Sequence, residues 1–360
     1  MKKIINEGCH GCDRTYLPDN YIFVFNFREW YADMKHQLLL AETTYRQMQL
    51  ESRLHPDIRY VTINDSGEIK RDGEVVDKQQ LSIDMARLDL PLFSTGHVKL
   101  IIALIEEAKA FKFVQTSAAG LDNSLFKTVA SKTEVFCSSD AQSASIAEFV
   151  VASVLNRWHR FDERRIRQAS HEWKDNTFKQ ILGSTWLIVG FGNIGSTVAN
   201  QIKGFGGHVI GVKRTLSPHE SADQLVALKD VNAHISKADV VLLSCPLNEE
   251  TRLLVDTNFL SQMKPDAVIV NIGRGYLVDE IALLSALNSG KLDYAILDVF
   301  QKEPLPLDSI FWTHDRVQVT PHSSHLGSRT EKQFERLFSE NLNHYLLGKQ
   351  VKNRVMAGSF

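Results

Sequence analysis

The feature that most constrains the fold is the stretch Leu187-Ile188-Val189-Gly190-Phe191-Gly192-Asn193-Ile194-Gly195. A short apolar run enters a glycine turn, and Ser196 to Ile202 leaves it with helical character. Strand, tight turn and helix start follow one another, with glycines in a G-x-G-x-x-G pattern. The first glycine permits the sharp turn, the second lets backbone approach a pyrophosphate, and the third lets the helix pack close to the strand. Backbone N–H groups at the helix start, at Asn193, Ile194 and Gly195, then face the anion. Glycine-rich turns are common, so the pattern alone leaves a plain strand-to-helix turn open as the alternative.

The surroundings favour a nucleotide site. Apolar runs at Thr185–Val189, His208–Val212, Ala238–Ser244, Ala267–Asn271, Tyr294–Asp298 and Val317–Thr320 are each followed by a polar loop. Six strands separated by helical or loop segments fit a doubly wound fold, in which ligand sits at the carboxyl ends of the strands. Before this unit, Ser143 to Leu155 is nearly all apolar or small and predicts a helix buried on several sides, as at a domain or subunit interface. Arg329 to Leu347 predicts a last helix that folds back on the first half of the chain.

The first half alternates strand and helix as well, the mark of a parallel α/β sheet. Residues 1–20 predict a terminal arm, Tyr21–Phe25 a strand, Tyr31–Glu51 a helix and Ile58–Ile63 a strand. Asn64-Asp65-Ser66-Gly67 predicts a turn, and Ile83–Phe93 contains a further strand. His97–Ala110 predicts a helix, Phe113–Thr116 a strand entering the turn Ser117–Asp122, and Val135–Cys137 a short strand.

A chain of 360 residues allows about two domains. Its net charge of -2 offers neither nucleic acid nor an anionic membrane a bulk partner. The opening residues lack the apolar core of a signal peptide, and no run approaches the ~18 apolar residues of a spanning helix. Together these predict a cytoplasmic protein. Cys9-His10-Gly11-Cys12 has the spacing of half a zinc site or a redox pair, but no second pair completes a metal site and no strand precedes it. It reads as an incidental terminal feature, and no metal is expected.

Chemistry collects at the strand ends. The fourth ends in Asn271-Ile272-Gly273-Arg274-Gly275, where an arginine between glycines can clamp a carboxylate with two parallel hydrogen bonds. The fifth leads to Asp298 and Glu303, and the sixth to Thr320-Pro321-His322. Histidine changes charge near neutral pH and suits a general acid/base, and a nearby carboxylate favours its charged form. Hydride addition to a 2-oxo acid puts negative charge on the former carbonyl oxygen, where a cation and a proton donor stabilise it. A solvent-facing arginine and a structural histidine are the plain alternatives for each residue taken alone.

From about residue 110 to 348 the chain resembles the D-isomer-specific 2-hydroxyacid dehydrogenase family. The matching pieces stand in family order. They are Ala119-Gly120-Leu121-Asp122, Ala147-Glu148, the glycine turn, Cys245 to Thr251, Asn271 to Gly275, Asp298 to Pro304 and Thr320-Pro321-His322. The resemblance implies two doubly wound parallel-sheet α/β domains. A Rossmann cofactor domain (143–325) is inserted in a flavodoxin-like substrate domain (1–142, completed by 326–360), with hinges near 142 and 325. It implies that Arg274 binds the substrate carboxylate and polarises the 2-oxo group, that His322 is the general acid, and that Glu303 is its partner. Backbone at Ala119 and Gly120 would receive the carboxylate, and Asp298 would hold the nicotinamide amide. Ser143, Cys245, Pro246, Thr251 and Ile272 would line the cofactor, and by the same analogy the buried helix suggests a homodimer.

The second strand of the nucleotide unit ends in Lys213-Arg214-Thr215, with the cations 18 and 19 residues after Gly195. An NAD site places an acid about 20 residues past the glycine turn to bond the ribose hydroxyl. Two cations and a hydroxyl there match a 2′-phosphate, which predicts NADP(H) over NAD(H). The substrate class expected is a small 2-oxo or D-2-hydroxy acid such as glyoxylate or hydroxypyruvate. Formate-type relatives carry glutamine where Glu303 stands. The longer phosphoglycerate dehydrogenases carry a further domain that is not expected here, while the shorter kind stays open. A dinucleotide-sensing binding protein of the corepressor type is the competing class.

Overall fold

The computed structural model describes residues 36–107, 111–214 and 216–356. The terminal arm, Cys9, Cys12, the strand expected at 21–25 and Thr215 lie outside the described residues.

Two seven-stranded sheets organise the described chain. The first contains β1 (His36–Ala41), β2 (Ile58–Ile63), β3 (Ile69–Arg71), β4 (Glu74–Val75), β5 (Met85–Leu88), β6 (Phe111–Thr116) and β7 (Thr133–Cys137), in the order β4-β3-β2-β1-β5-β6-β7. Its centre is parallel. Its edge is not: β2–β3 and β3–β4 pair antiparallel, because only antiparallel neighbours can be joined by turns as tight as Asn64–Gly67.

The helix expected over 31–51 is corrected by the structure. Residues 36–41 are strand β1, and helix α1 (Glu42–Leu50) begins only afterwards. Leu38 and Leu40 enter one core, with Met85 and Phe113; Leu39 and Ala41 enter the opposite one, with Val61 and Val114. A central strand coated on both faces reads as an unbroken apolar run, which periodicity cannot tell from buried helix.

The second sheet contains β8 (Thr185–Val189), β9 (His208–Val212), β10 (Gln224–Val226), β11 (Val240–Leu243), β12 (Val268–Asn271), β13 (Tyr294–Leu297) and β14 (Val317–Val319). All pairings are parallel, in the order β10-β9-β8-β11-β12-β13-β14. Seven strands stand where six were expected. The extra one, β10, is a three-residue edge strand too short to show a period. Strand order reverses between β8 and β11, the switch point beside which such sheets bind ligand.

Helix α2 (Ser143–His159) packs on helix α3 (Asn193–Gly204) and the second sheet. Val150, Val154 and Trp158 share a core with Trp186, Val198 and Ile202, and the two indoles meet edge to face at 6.3 Å. Each such side chain contributes about 1.5–3 kcal/mol by leaving water. Helix α4 (Thr330–Leu346) returns to the first sheet, where Phe338 and Leu342 join the core of Leu38, Met85 and Phe113. Among the described residues no helix is long and apolar enough to cross a membrane.

Candidate active site

The glycine turn sits at the switch point. Gly190 has φ +102°, and a Cβ there would lie 2.3 Å from the Cys245 backbone nitrogen, so no L side chain fits. At Gly195 a Cβ would lie 2.3 Å from the Gly190 carbonyl oxygen, which keeps α3 tight against β8, whereas Gly192 faces open space. Helix α3 begins at Asn193, and its first-turn N–H groups, including those of Ile194 and Gly195, have no acceptor within the helix. Ser143 is buried and its Oγ has no hydrogen-bond partner among the described residues. An orphan hydroxyl, an open glycine and unpaired amides fit a bound dinucleotide.

The remaining expected cofactor residues differ in character. Cys245 and Ile272 are buried, and burial pushes the Cys245 thiol up to about 11, so it is an inert wall. Thr251 Oγ1 donates to the Pro246 carbonyl at 2.7 Å and accepts from Asn248 N, which knits that loop together. Lys213 and Arg214 follow β9 directly; Arg214 is exposed, and neither makes an ion pair among the described residues.

Arg274 is presented by a buried asparagine. Asn271 Nδ2 donates to the Arg274 carbonyl at 2.9 Å, and Asn271 Oδ1 accepts from Gly273 N at 3.1 Å. The guanidinium then crosses to the loop after β6. Its Nε and Nη2 donate to the two oxygens of Asp122 at 2.8 and 2.5 Å, and Nη1 donates to the Gly273 carbonyl at 2.7 Å. Gly120 makes room: a Cβ there would lie 2.1 Å from Arg274 Nη2. Ala119 is half-buried in the same loop. Burial pushes the Asp122 carboxyl up, but Arg274, with help from His322, outweighs it and holds the group below the ordinary aspartate value.

His322 completes the cluster. Its Nδ1 lies 2.9 Å from Glu303 Oε2, and Glu303 Oε1 accepts from Phe300 N at 2.9 Å. His322 has φ +52°, a left-handed conformation that costs about 1–3 kcal/mol and persists only where its surroundings enforce it. Here Asp298 does so. His322 N donates to the Asp298 carbonyl at 2.8 Å. The buried Asp298 carboxylate accepts from Thr320 Oγ1 (2.6 Å), Ser323 N (2.9 Å) and Ser324 Oγ (2.5 Å). Both of its oxygens are thus engaged by the turn that carries His322.

Two neighbours were not anticipated. Asp122 is one; its only signal in the chain is its place in Ala119-Gly120-Leu121-Asp122, two residues past the glycine that faces Arg274. His325 is the other. Its ring meets that of His322 edge to face at 6.0 Å, and burial, together with the charge of His322, holds it below the ordinary histidine value.

Comparison with known proteins agrees with this architecture. Residues 151–324 match the NAD binding domain of D-isomer specific 2-hydroxyacid dehydrogenase. A hydroxypyruvate reductase of Thermotoga maritima is 30% identical over 261 residues, covering 71% of this chain and 84% of the relative. The chain belongs to the D-isomer specific 2-hydroxyacid dehydrogenase family. D-3-phosphoglycerate dehydrogenase of Methanocaldococcus jannaschii is also 30% identical, over 283 residues, 77% of this chain and 53% of that one. The chain therefore spans about half the length of the phosphoglycerate dehydrogenases it matches. The family fold also appears in the crystal structure of an NADPH-dependent glyoxylate/hydroxypyruvate reductase from Sinorhizobium meliloti. That structure has a TM-score of 0.68 and 22% identity, and the match covers 89% of this chain and 98% of that one.

Proposed function

We propose that the protein transfers a hydride between NADP(H) and a small 2-oxo or D-2-hydroxy acid of the glyoxylate or hydroxypyruvate type. The observation that carries this reading is the His322–Glu303 pair at 2.9 Å, with Arg274, Glu303 and His322 following the carboxyl ends of the adjacent parallel strands β12, β13 and β14. Arg274 binds the substrate carboxylate and polarises the 2-oxo group, and backbone at Ala119 and Gly120 receives the same carboxylate. Bound NADPH supplies the hydride. As charge develops on the carbonyl oxygen, His322 Nε2 delivers a proton to it, and Glu303 holds the imidazolium through Nδ1. In the oxidative direction His322 takes the proton back. Asp298 keeps the His322 turn in place and would lie toward the nicotinamide end of the bound cofactor.

The glycine turn and the α3 amides would hold the pyrophosphate, with Ser143, Cys245, Pro246, Thr251 and Ile272 along the dinucleotide. Lys213 and Arg214, beside Thr215, would meet the 2′-phosphate as charge-assisted donors. The Sinorhizobium meliloti reductase was crystallised with NADP. The exposed apolar side chains Phe161, Ile166 and Trp173 beyond α2 support a homodimer as the working assembly. Sedimentation at micromolar concentration as a monomer would exclude it.

The test is a panel of 2-oxo acids with NADPH and NADH. The expected result is reduction of glyoxylate or hydroxypyruvate with higher kcat/KM for NADPH, and loss of that preference in Lys213→Ala/Arg214→Ala. A clear NADH preference would sink the cofactor assignment. Tight cofactor binding with no turnover of any acid would replace the enzyme by a dinucleotide sensor.

A further inference from the structure

Arg274 carries its counter-charge with it. A guanidinium has five N–H donors. Asp122 takes one from Nε and one from Nη2, and the Gly273 carbonyl takes one from Nη1. One N–H remains on each of Nη1 and Nη2. These two share the end of the guanidinium, the edge that can grip a second carboxylate with parallel bonds. Without Asp122 the side chain is free to turn either edge outward, and nothing else among the described residues holds its Nε.

The charges around His322 add a second consequence. Arg274 is paired with Asp122, and His322 with Glu303. Beside them stand the buried Asp298 side chain, bonded to the turn that carries His322, and His325, which burial holds below the ordinary histidine value. This set holds no surplus positive charge for a second anionic group on the substrate.

We infer that Asp122 is a positioning and specificity-determining residue: it turns the Nη1–Nη2 edge of Arg274 toward the substrate and tunes the site to 2-oxo acids with a single carboxylate. The inference rests on the reading of Arg274 as the carboxylate clamp. Asp122 acts through Arg274. Its removal mis-aims the clamp and, at the same time, leaves an uncompensated cation that favours substrates with two negative charges.

The experiment compares hydroxypyruvate, with one carboxylate, and oxaloacetate, with two, at saturating reduced cofactor. The full-length wild type, Asp122→Asn, Asp122→Ala and Asp122→Glu are assayed, with cofactor affinity as the check on folding. Asp122→Asn and Asp122→Ala are expected to lower kcat/KM for hydroxypyruvate about 10–100-fold, mainly through kcat. They are also expected to raise the oxaloacetate-to-hydroxypyruvate ratio of kcat/KM about tenfold. Asp122→Glu keeps the charge and should keep the wild-type ratio. A ratio unchanged in Asp122→Asn, whatever the absolute loss, reduces Asp122 to a loop-stabilising residue and overturns the inference. So does a hydroxypyruvate efficiency equal to wild type. A wild type that turns over no 2-oxo acid at all overturns the clamp reading itself, a result distinct from both.

Discussion

Two arginines at strand ends, Arg87 on β5 and Arg274 after β12, both pair with carboxylates, yet they serve opposite ends. Arg87 is fully buried. Its Nε donates to Asp89 at 2.9 Å and its Nη2 to Glu331 at 3.1 Å and Glu335 at 2.5 Å, while the rings of Phe334 and Phe338 cover its face. These contacts fasten α4 to the first sheet. Arg274 keeps 30% of its side chain exposed and ties the two sheets together through one residue, with two donors to spare. A buried ion pair is costly to break because a lone charge cannot be resolvated. A half-exposed one is cheap to break, because water and salt screen it. The fold therefore commits Arg87 to fastening α4, whereas Arg274 is held along one edge by Asp122 and keeps two donors for a ligand.

The largest effect that would break this contrast is at Arg274 and His322. Arg274→Ala or His322→Ala should lower kcat/KM by about 10²–10⁴-fold, with cofactor affinity and thermal midpoint near wild type. Near-normal turnover in either variant rejects its assigned role. Arg87→Met is the mirror image. It leaves buried carboxylates without their cation and should cost about 3–5 kcal/mol in denaturant unfolding, with turnover retained in the folded fraction. Lost turnover at full stability would make Arg87 part of the site and dissolve the distinction.

A smaller effect is expected from Gly120→Ala. Its methyl group would displace Arg274 Nη2, the end of a flexible side chain, so catalysis should fall about tenfold while unfolding is little changed. The smallest effect sharpens the electrostatics. The Asp122 carboxyl lies below the ordinary aspartate value, so its folded-state pKa is below its unfolded one. Its pairing then contributes fully above the unfolded value and fades as pH falls through the folded one. Thermal scans of wild type and Asp122→Asn should converge as the pH is lowered beneath the ordinary aspartate range. A gap that widens there would contradict the ion pair.

Much of the second sheet could be read from the chain because five of its seven strands are largely apolar runs of four or five residues closed by a polar loop. Arg274, Glu303 and His322 stand just past those closures. The first sheet was harder. In β1, burial on both faces removed the alternation that marks a strand. In the second sheet the three-residue edge strand β10 was too short to have one. Asp298 was noticed for its place at a strand end, but its grip on Thr320, Ser323 and Ser324 depends on a turn that only folding forms.

What the amino-acid sequence determined by itself is local: where strands turn into loops, which turn must be glycine, and which residue types stand ready for hydride chemistry. What only the tertiary structure decided is which of them meet. Asp122 and Arg274 are 152 residues apart in the chain, and Arg87 and Glu335 are 248 apart. Whether an arginine ends as a buried fastener or a half-open clamp depends on how much water the packing leaves around it. No property of the arginine or its chain neighbours carries that information, because burial is set by elements that arrive from elsewhere in the fold.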